Sequence, residues 1–317
     1  AHLVLPAVTR TTLPNGLRIV VAEYHELPLV DVVVFVGAGA AQDPPGKEGV
    51  AALTASTLKR GAGGMSADAL AKSIESLGGV LGAQAGTDAS VVTSEFLAGD
   101  FAAGLDLLRR VLRQPEFARD EVRRARAEQA AGLVAGLEEP AAIAERCFAP
   151  WLYGTHPYGR PVDGRRDTVP DLGRCDVRDF YDRWYRPNGT IVVVVGDVQA
   201  DETVRQLTAA FGDWKAGDEA VATRAGAPAP VGTRRVLLVD KPDATQTQIR
   251  IGSIAMARND PDLLPSQVAN TILGGGFTSR LIEELRVKRS LTYGASSAFV
   301  ARRVGGDFRL QTFTKTP

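Results

Sequence analysis

The chain has 317 residues, enough for about two domains of ~150 residues each, and 44% of them are hydrophobic, so a sizeable core can form. Thirty-seven basic residues balance 37 acidic ones, and the absence of a basic surplus argues against a nucleic-acid-binding protein. No apolar run approaches the ~18 residues of a membrane span, because the longest runs, such as 191–195, are only as long as a strand.

The spacing of apolar residues over the first two thirds of the chain predicts strands and helices in mixed order. The Asn15-Gly16 dipeptide predicts a turn before the first strand, and Ser66 is suited to cap a helix. The predicted strands are 17–22, 29–37, 80–86, 90–97 and 190–198. The predicted helices are 47–60, 66–77, 100–112, 119–137, 140–152, 176–185 and 201–211. This order favours an α+β fold, in which a largely antiparallel sheet carries helices on one face.

A stretch dominated by Ala, Gly and Pro divides the chain at residues 217–233 and is typical of a linker. It separates a first domain, 1–216, from a second, 234–317. The second domain repeats the pattern of the first, which indicates two similar domains from an internal duplication. Its predicted elements are strands at 235–240, 246–253, 293–301 and 307–314, and helices at 261–273 and 279–288. Because the second copy is much shorter, we expect it to be incomplete in this chain, which ends at Pro317.

The two cysteines, Cys147 and Cys175, are 28 positions apart and belong to no Cys-x-x-Cys, so a structural zinc is not expected. They either form a disulfide, which an oxidising compartment permits, or are two unrelated small residues of the core. The start at Ala1 fits cleavage of a secretory signal. We therefore expect a periplasmic or otherwise exported location, with a cytoplasmic one as the alternative.

Four short motifs occur in order along the chain. They are TLPNGL at 12–17, YGTHPYG at 153–159, YRPNG at 185–189 with GD at 196–197, and GGGFTSR at 274–280 with LTYG at 291–294. Together they resemble the pitrilysin/insulinase metallopeptidases, which include the mitochondrial processing peptidases. Gly189 departs from the family pattern, which usually has Asn there. The resemblance implies two similar domains per unit, with two units closing around an extended peptide.

Residues 49–61 resemble the signature helix of that family, in which His-x-x-Glu-His binds zinc and activates water. The three equivalent positions hold Ala52, Ala55 and Ser56. Alanine has no donor atom, and serine is a poor zinc ligand. The third ligand of active relatives has its equivalent near Ala131, three positions from Glu128. None of the three histidines has metal-ligand spacing: His2, His25 and His156. The sequence therefore predicts no metal site in this chain.

Arg286 and Tyr293, in the second domain, match an Arg/Tyr pair that the family carries at the same spacing. The resemblance implies that the pair lies on the non-catalytic chain of two-subunit members and reaches the partner's active site. Hydrolysis of an amide builds negative charge on its carbonyl oxygen, and a guanidinium and a phenol are suitable donors to that oxygen. The alternative is structural: Arg286 caps a helix end, and Tyr293 packs on a sheet.

The resemblance thus implies a catalytically silent subunit of a heterodimeric zinc metallopeptidase. Such a subunit has no activity alone and forms half of the chamber for an extended peptide. The zinc is expected on a homologous partner that carries His-x-x-Glu-His, so this chain itself needs no cofactor. Two alternatives stay open: a structural scaffold, and a homodimeric peptide-binding protein without a peptidase role.

Overall fold

The computed structural model describes residues 7–217, 225–230 and 232–315. Its contacts define two compact units. Residues 7–130 and 162–217 form the first unit, and residues 131–161, 225–230 and 232–315 form the second unit. The linker predicted at 217–233 lies largely outside the described residues. The division into domains 1–216 and 234–317 stays a prediction.

A six-stranded sheet organises the first unit, in the order β1-β2-β6-β3-β5-β4. Its strands are β1 (Val8–Thr12), β2 (Arg18–Glu23), β3 (Leu29–Val36), β4 (Val80–Ala85), β5 (Ser90–Leu97) and β6 (Thr190–Gly196). Only β2 and β6 pair in parallel; the other pairs in this sheet are antiparallel. Along β3, Val30, Val32 and Val34 are buried while Asp31 is exposed, because alternate side chains of a strand point to opposite faces.

The helices follow the predicted order. They are α1 (Val50–Leu58), α2 (Ala67–Ser76), α3 (Phe101–Arg113), α4 (Arg119–Ala135), α5 (Pro140–Tyr153), α6 (Arg174–Trp184), α7 (Ala200–Phe211), α8 (Leu263–Leu273) and α9 (Arg280–Ile282), which continues as a π-helix over Glu283–Lys288. The predicted cap of α2 is confirmed, since Ser66 Oγ accepts the N–H of Ala69 at 3.2 Å. Within the first unit, α1 packs against α6, β4 and β5. The predicted α+β fold is therefore confirmed.

The second unit contains a three-stranded antiparallel sheet in the order β7-β9-β8. Its strands are β7 (Gln246–Ala255), β8 (Ala295–Val300) and β9 (Gly306–Lys315). This order repeats β3-β5-β4 of the first unit, as the predicted duplication requires. The strand predicted at 235–240 is wrong, because those residues form no strand. A strand needs a neighbour for its backbone hydrogen bonds, and none of the described residues supplies one.

A buried carboxylate anchors β9 in the second unit. Asp307 is fully buried, and it accepts hydrogen bonds from the Tyr153 hydroxyl at 2.9 Å and from Arg309 Nε at 2.7 Å. Arg302 Nη2 lies 3.6 Å from the same carboxylate. Burial raises the pKa of Tyr153 above its usual value, so this phenol stays protonated and keeps donating. The two cysteines, Cys147 and Cys175, are free thiols. None of the helices among the described residues combines the length and the apolar character that crossing a bilayer requires.

His25 links the loop after β2 to the end of β6. Its Nδ1 lies 2.7 Å from Asp197 Oδ1, and its Nε2 lies 3.7 Å from Glu23 Oε2. The hydrogen bond to Asp197 raises the pKa of His25 above 6.5. A raised pKa in the folded state means that the stability contributed by the charged imidazole is fully present at a pH below the unfolded-state pKa of about 6.5 and is lost as the pH rises through the folded-state pKa.

We therefore expect an NMR titration of His25 to give a pKa above 6.5, and Asp197→Asn to lower it. Asp31→Asn, which changes another exposed carboxylate of the first unit, is the control and should leave the titration unchanged. A wild-type pKa at or below the usual value would contradict the contact.

Candidate functional site

The start of α1 is held by one buried carboxylate. Asp43 accepts the backbone N–H groups of Gly49 at 2.7 Å and of Ala51 at 3.0 Å, which are donors that the first turn of a helix leaves unpaired. Gly49 has φ +102°, a left-handed conformation that favours glycine. Gln129 of α4 reaches the same turn, since its Nε2 donates to the Gly49 carbonyl at 3.1 Å. These contacts fix where α1 begins and which of its faces turns toward α4.

The three positions that correspond to the zinc-binding signature lie within α1. Ala55 is fully buried, whereas Ala52 and Ser56 are half-buried. Residues four positions apart share one helix face, so Ala52 and Ser56 lie together. The Ser56 hydroxyl donates to the Leu53 carbonyl at 3.0 Å. Among the described residues, no group of three or more His, Cys, Asp and Glu side chains could hold a metal ion. The side chains at these positions do not fit zinc.

An arginine that the sequence reasoning missed lies one turn beyond Ser56. Arg60 Nη2 contacts Glu128 Oε2 at 2.5 Å, and Arg60 Nη1 lies 3.7 Å from Glu121 Oε2. The hydrogen bond from Arg60 lowers the pKa of Glu128. The acidic residue nearest to the predicted third-ligand position is therefore paired with a guanidinium. The sequence did contain a signal for Arg60. It follows Ala52 and Ser56 at steps of four residues, and residues four apart are neighbours on one helix face.

Arg286 and Tyr293 come together in the second unit. The Arg286 guanidinium carbon lies 5.6 Å from the centre of the Tyr293 ring and 5.1 Å from that of Phe277, within cation–π range. The two rings are exposed, with 80% of Tyr293 and 78% of Phe277 accessible. Among the described residues, Arg286 makes no ion pair. Sequence reasoning missed Phe277 as a third member, although it noted the GGGFTSR motif that contains it.

The backbone between Arg286 and Tyr293 is unusual. Arg286 lies in the π-helix that follows α9, an uncommon geometry that is frequent at functional sites. Ser290 has φ +53°, a rare conformation for a residue other than glycine. Its N–H donates to the Arg286 carbonyl at 3.1 Å, and the N–H of Leu291 donates to the Leu285 carbonyl at 2.8 Å, a pattern that ends a helix. The helical segment that carries Arg286 therefore ends before Tyr293.

A cleft of about 500 Å³ lies beside this cluster in the second unit. Its walls include the glycine loop 274–276, Phe277, Tyr293, Gln248 and Arg250. Its volume is in the range of small-molecule and peptide-side-chain sites. Tyr293 and Phe277 thus line this cleft, and Arg286 contacts both rings.

Comparison with known proteins shows the family to which the chain belongs. Residues 18–162 match the family described as insulinase (peptidase family M16), and residues 171–316 match the peptidase M16 inactive domain. The chain belongs to peptidase family M16, as the four sequence motifs predicted. An uncharacterized zinc protease of Mycobacterium leprae is 30% identical over 92% of this chain and 65% of its own length. A Mycobacterium tuberculosis protein of the same description is also 30% identical, over 67% of its length. The chain thus spans about two thirds of these relatives.

Three further similarities bear on activity and fold. A non-peptidase homolog of Helicobacter pylori is 24% identical over 87% of this chain and 63% of its own length. The solved peptidase M16 inactive domain of Pseudomonas fluorescens has a TM-score of 0.90 and 28% identity, over 98% of this chain and 74% of that one. A Helicobacter pylori protease, at 23% identity and TM-score 0.93, shows the same fold over 99% of this chain and 76% of its own. The inactive-domain match and the non-peptidase name fit a catalytically inactive member of the family.

Proposed function

We propose that this chain is the catalytically silent subunit of a heterodimeric zinc metallopeptidase. The observation that carries the proposal is the combination of an M16 fold with Ala52, Ala55 and Ser56 at the signature positions. Alanine side chains have no lone pair for a metal. The zinc is then on a homologous partner with an intact His-x-x-Glu-His, and this chain forms half of the peptide chamber. An exported location stays part of the proposal.

The contribution of this chain to the reaction is assigned to Arg286 and Tyr293. When a peptide bond is hydrolysed, its carbonyl oxygen gains negative charge, and donors aimed at that oxygen stabilise it. The N–H groups of a guanidinium lie in its plane, so a guanidinium stacked on aromatic rings keeps them for an acceptor. Exposure of Tyr293 and the absence of an ion pair at Arg286 among the described residues support this role.

The substrate class proposed is an extended peptide. Extended peptides bind through backbone hydrogen bonds that tolerate many sequences. The cleft beside Tyr293 adds a cavity of about 500 Å³ that can accept side chains next to the scissile bond. The glycine loop 274–276 in its wall presents backbone without side chains, so a peptide can approach closely.

The test is peptidase activity of the co-purified complex with variants of this chain. The chain alone is expected to bind no stoichiometric zinc and to cleave nothing, and mixing with its partner restores cleavage. In the complex, Arg286→Ala is expected to lower kcat about a hundredfold, since one lost donor typically costs ~3 kcal/mol. Tyr293→Phe should also lower kcat, with KM little changed in both variants.

Arg289→Ala is the matched control, because Arg289 is an exposed arginine in the same segment. It should leave kcat unchanged, and gel filtration should show that every variant still assembles. Full activity of both Arg286→Ala and Tyr293→Phe would overturn the donor role and favour the scaffold. A homodimer without any His-x-x-Glu-His chain would favour the peptide-binding alternative.

A further inference from the structure

The cleft of the second unit has a single charged side chain in its wall. Arg250 of β7 lines this cleft of about 500 Å³, and no other Asp, Glu, Lys, His or Arg among the described residues does so. A second cation, Arg286, lies on the rings of Phe277 and Tyr293, which also line the cleft. Because the wall holds a cation and no carboxylate, the local field favours an anionic ligand.

The guanidinium of Arg250 has few acceptors in the protein. Its side chain is only 12% accessible. Among the described residues, its one hydrogen bond runs from Nη1 to the Ile249 carbonyl at 3.1 Å, and its Nε is shielded from solvent without a partner. The carboxylate of Glu145 lies 3.8 Å from Nε, beyond hydrogen-bond distance. A guanidinium has five N–H donors, and a largely buried one requires acceptors for them.

Glu145 is also shared with a second guanidinium. Its carboxylate accepts a hydrogen bond from Arg309 Nη1, and Arg309 Nε donates to Asp307 at 2.7 Å. Arg302 Nη2 lies 3.6 Å from Asp307. Three guanidinium groups therefore share the two carboxylates of this cluster, which leaves a net positive charge, and Arg250 is the member that lines the cleft.

The equivalent strand of the first unit has no charge at this place. β3 is followed by Gln42-Asp43-Pro44, and β7 is followed by Asn259-Asp260-Pro261. When these triplets are aligned, Val33 is the counterpart of Arg250, since each lies ten residues before the Asp of its triplet. The two strands have the same place in their sheets, because β3 pairs with β5 as β7 pairs with β9. Such a sheet forms without a cation at this position, so the strand itself does not require Arg250.

A polar row crosses the second sheet at Arg250. Arg250 pairs with Gln311 of β9, and Gln311 pairs with Ser296 of β8. Residues that pair directly on neighbouring strands share one face of the sheet, and all three line the cleft. Gln311 Nε2 donates to Ser296 Oγ at 3.0 Å. The corresponding row of the first sheet consists of Val33, Thr93 and Gly82. The second sheet therefore has a cation with two polar neighbours where the first sheet has none.

We propose that this cleft is a subsite for a carboxylate of the bound peptide and that Arg250 is the cation that recognises it. A guanidinium binds a carboxylate through paired N–H donors in one plane, and Gln248 and Gln311 add amide donors to the same wall. The inference rests on the proposed function, which makes an extended peptide the substrate. A peptide offers a carboxylate in an Asp or Glu side chain or at its C terminus. Arg250 thus selects the peptide, whereas Arg286 and Tyr293 act on the scissile bond.

The test is binding of the full chain to short fluorescent peptides of Gly, Ser and Ala, measured by anisotropy. One peptide carries a central Glu and an amidated C terminus, a second carries Gln and a free C terminus, and a third carries Gln and an amidated C terminus. We expect the first or the second to bind at least about tenfold more tightly than the third, because only they offer a charged acceptor. The peptide that is preferred identifies the source of the carboxylate. Equal affinity for all three would overturn the proposal.

Three variants make the result specific to Arg250. Arg250→Gln is expected to abolish the preference for a carboxylate. Gln311→Glu retains Arg250 but places a carboxylate beside it on an exposed position, and it should abolish the preference as well, so the test does not depend on the folding of Arg250→Gln. Arg289→Gln removes an exposed arginine outside the walls of the cleft and should leave the preference intact. A preference that persists in Arg250→Gln or in Gln311→Glu would contradict the assignment.

Kinetics of the partner complex separate this inference from the proposed peptidase role. Arg250→Gln is expected to raise KM about tenfold for the peptide that the binding assay prefers, whereas Arg286→Ala acts on kcat. Binding to the chain alone reports on the subsite whether or not the complex cleaves peptides. Conversely, equal affinity for all three peptides would leave the effects of Arg286→Ala and Tyr293→Phe on kcat as they are.

Discussion

Replacing Asp307 by asparagine is expected to destabilise the second unit by about 3–5 kcal/mol, the usual cost of removing one partner from a buried ion pair. Asp307 is fully buried and is the acceptor shared by Tyr153 and Arg309. The guanidinium of Arg302 lies within 3.6 Å of it. Asparagine keeps the shape but removes the charge, so two largely buried guanidinium groups lose a counter-ion at once.

The measurement is the free energy of unfolding in urea, resolved for the second unit by hydrogen exchange of the β9 amides. Asp243→Asn is the matched control, because Asp243 pairs with Lys241 at 2.8 Å on the surface and exposed pairs contribute at most about 1 kcal/mol. An Asp307→Asn protein within about 1 kcal/mol of wild type would show that the network is not the anchor of β9.

Histidines placed at positions 52 and 56 are expected to create a zinc site on α1. Residues four apart on one helix face bring two imidazoles to the same metal. Ala52 and Ser56 are half-buried, whereas Ala55 is fully buried, so histidine is accommodated at the first two positions more readily than a carboxylate at the third. We expect the double variant Ala52→His/Ser56→His to bind zinc at least about 100-fold more tightly than either single variant.

The measurement is zinc titration by calorimetry against a competing chelator. Adding Arg60→Ala should tighten binding further, because it removes a cation and frees Glu128, which Arg60 now contacts at 2.5 Å. A double variant that binds no more tightly than the single variants would mean that positions 52 and 56 do not correspond to the family's two histidines.

Local patterns predicted much of the fold. The strand predicted at 29–37 and the Ser66 cap of α2 depend on residues close in sequence, and both are confirmed. The strand predicted at 235–240 is wrong for a non-local reason. Its apolar run has the composition of a strand, but a strand forms only when another segment satisfies its backbone. Propensity alone does not contain that information.

The candidate site, like the fold, has features that residue identity determines and features that depend on contacts between distant segments. The missing ligands at Ala52, Ala55 and Ser56 were evident in the sequence, because the chemistry of an alanine side chain does not depend on its surroundings. Arg60 pairing with Glu128, 68 positions away, and Phe277 joining Arg286 and Tyr293 were not evident. Such contacts depend on how helices and loops pack, and the same sequence pattern is compatible with many arrangements of those helices and loops.

By itself, therefore, the sequence determined the family, the order of most strands and helices, and the loss of metal-binding side chains, all of which depend on residue identity and short-range spacing. The tertiary structure alone decided that β6 lies between β2 and β3, that Arg286 meets two exposed rings, and that 236–239 remain without a partner strand among the described residues. The physical reason is that pairing and packing depend on which distant segments are available to satisfy the backbone and cover apolar surface.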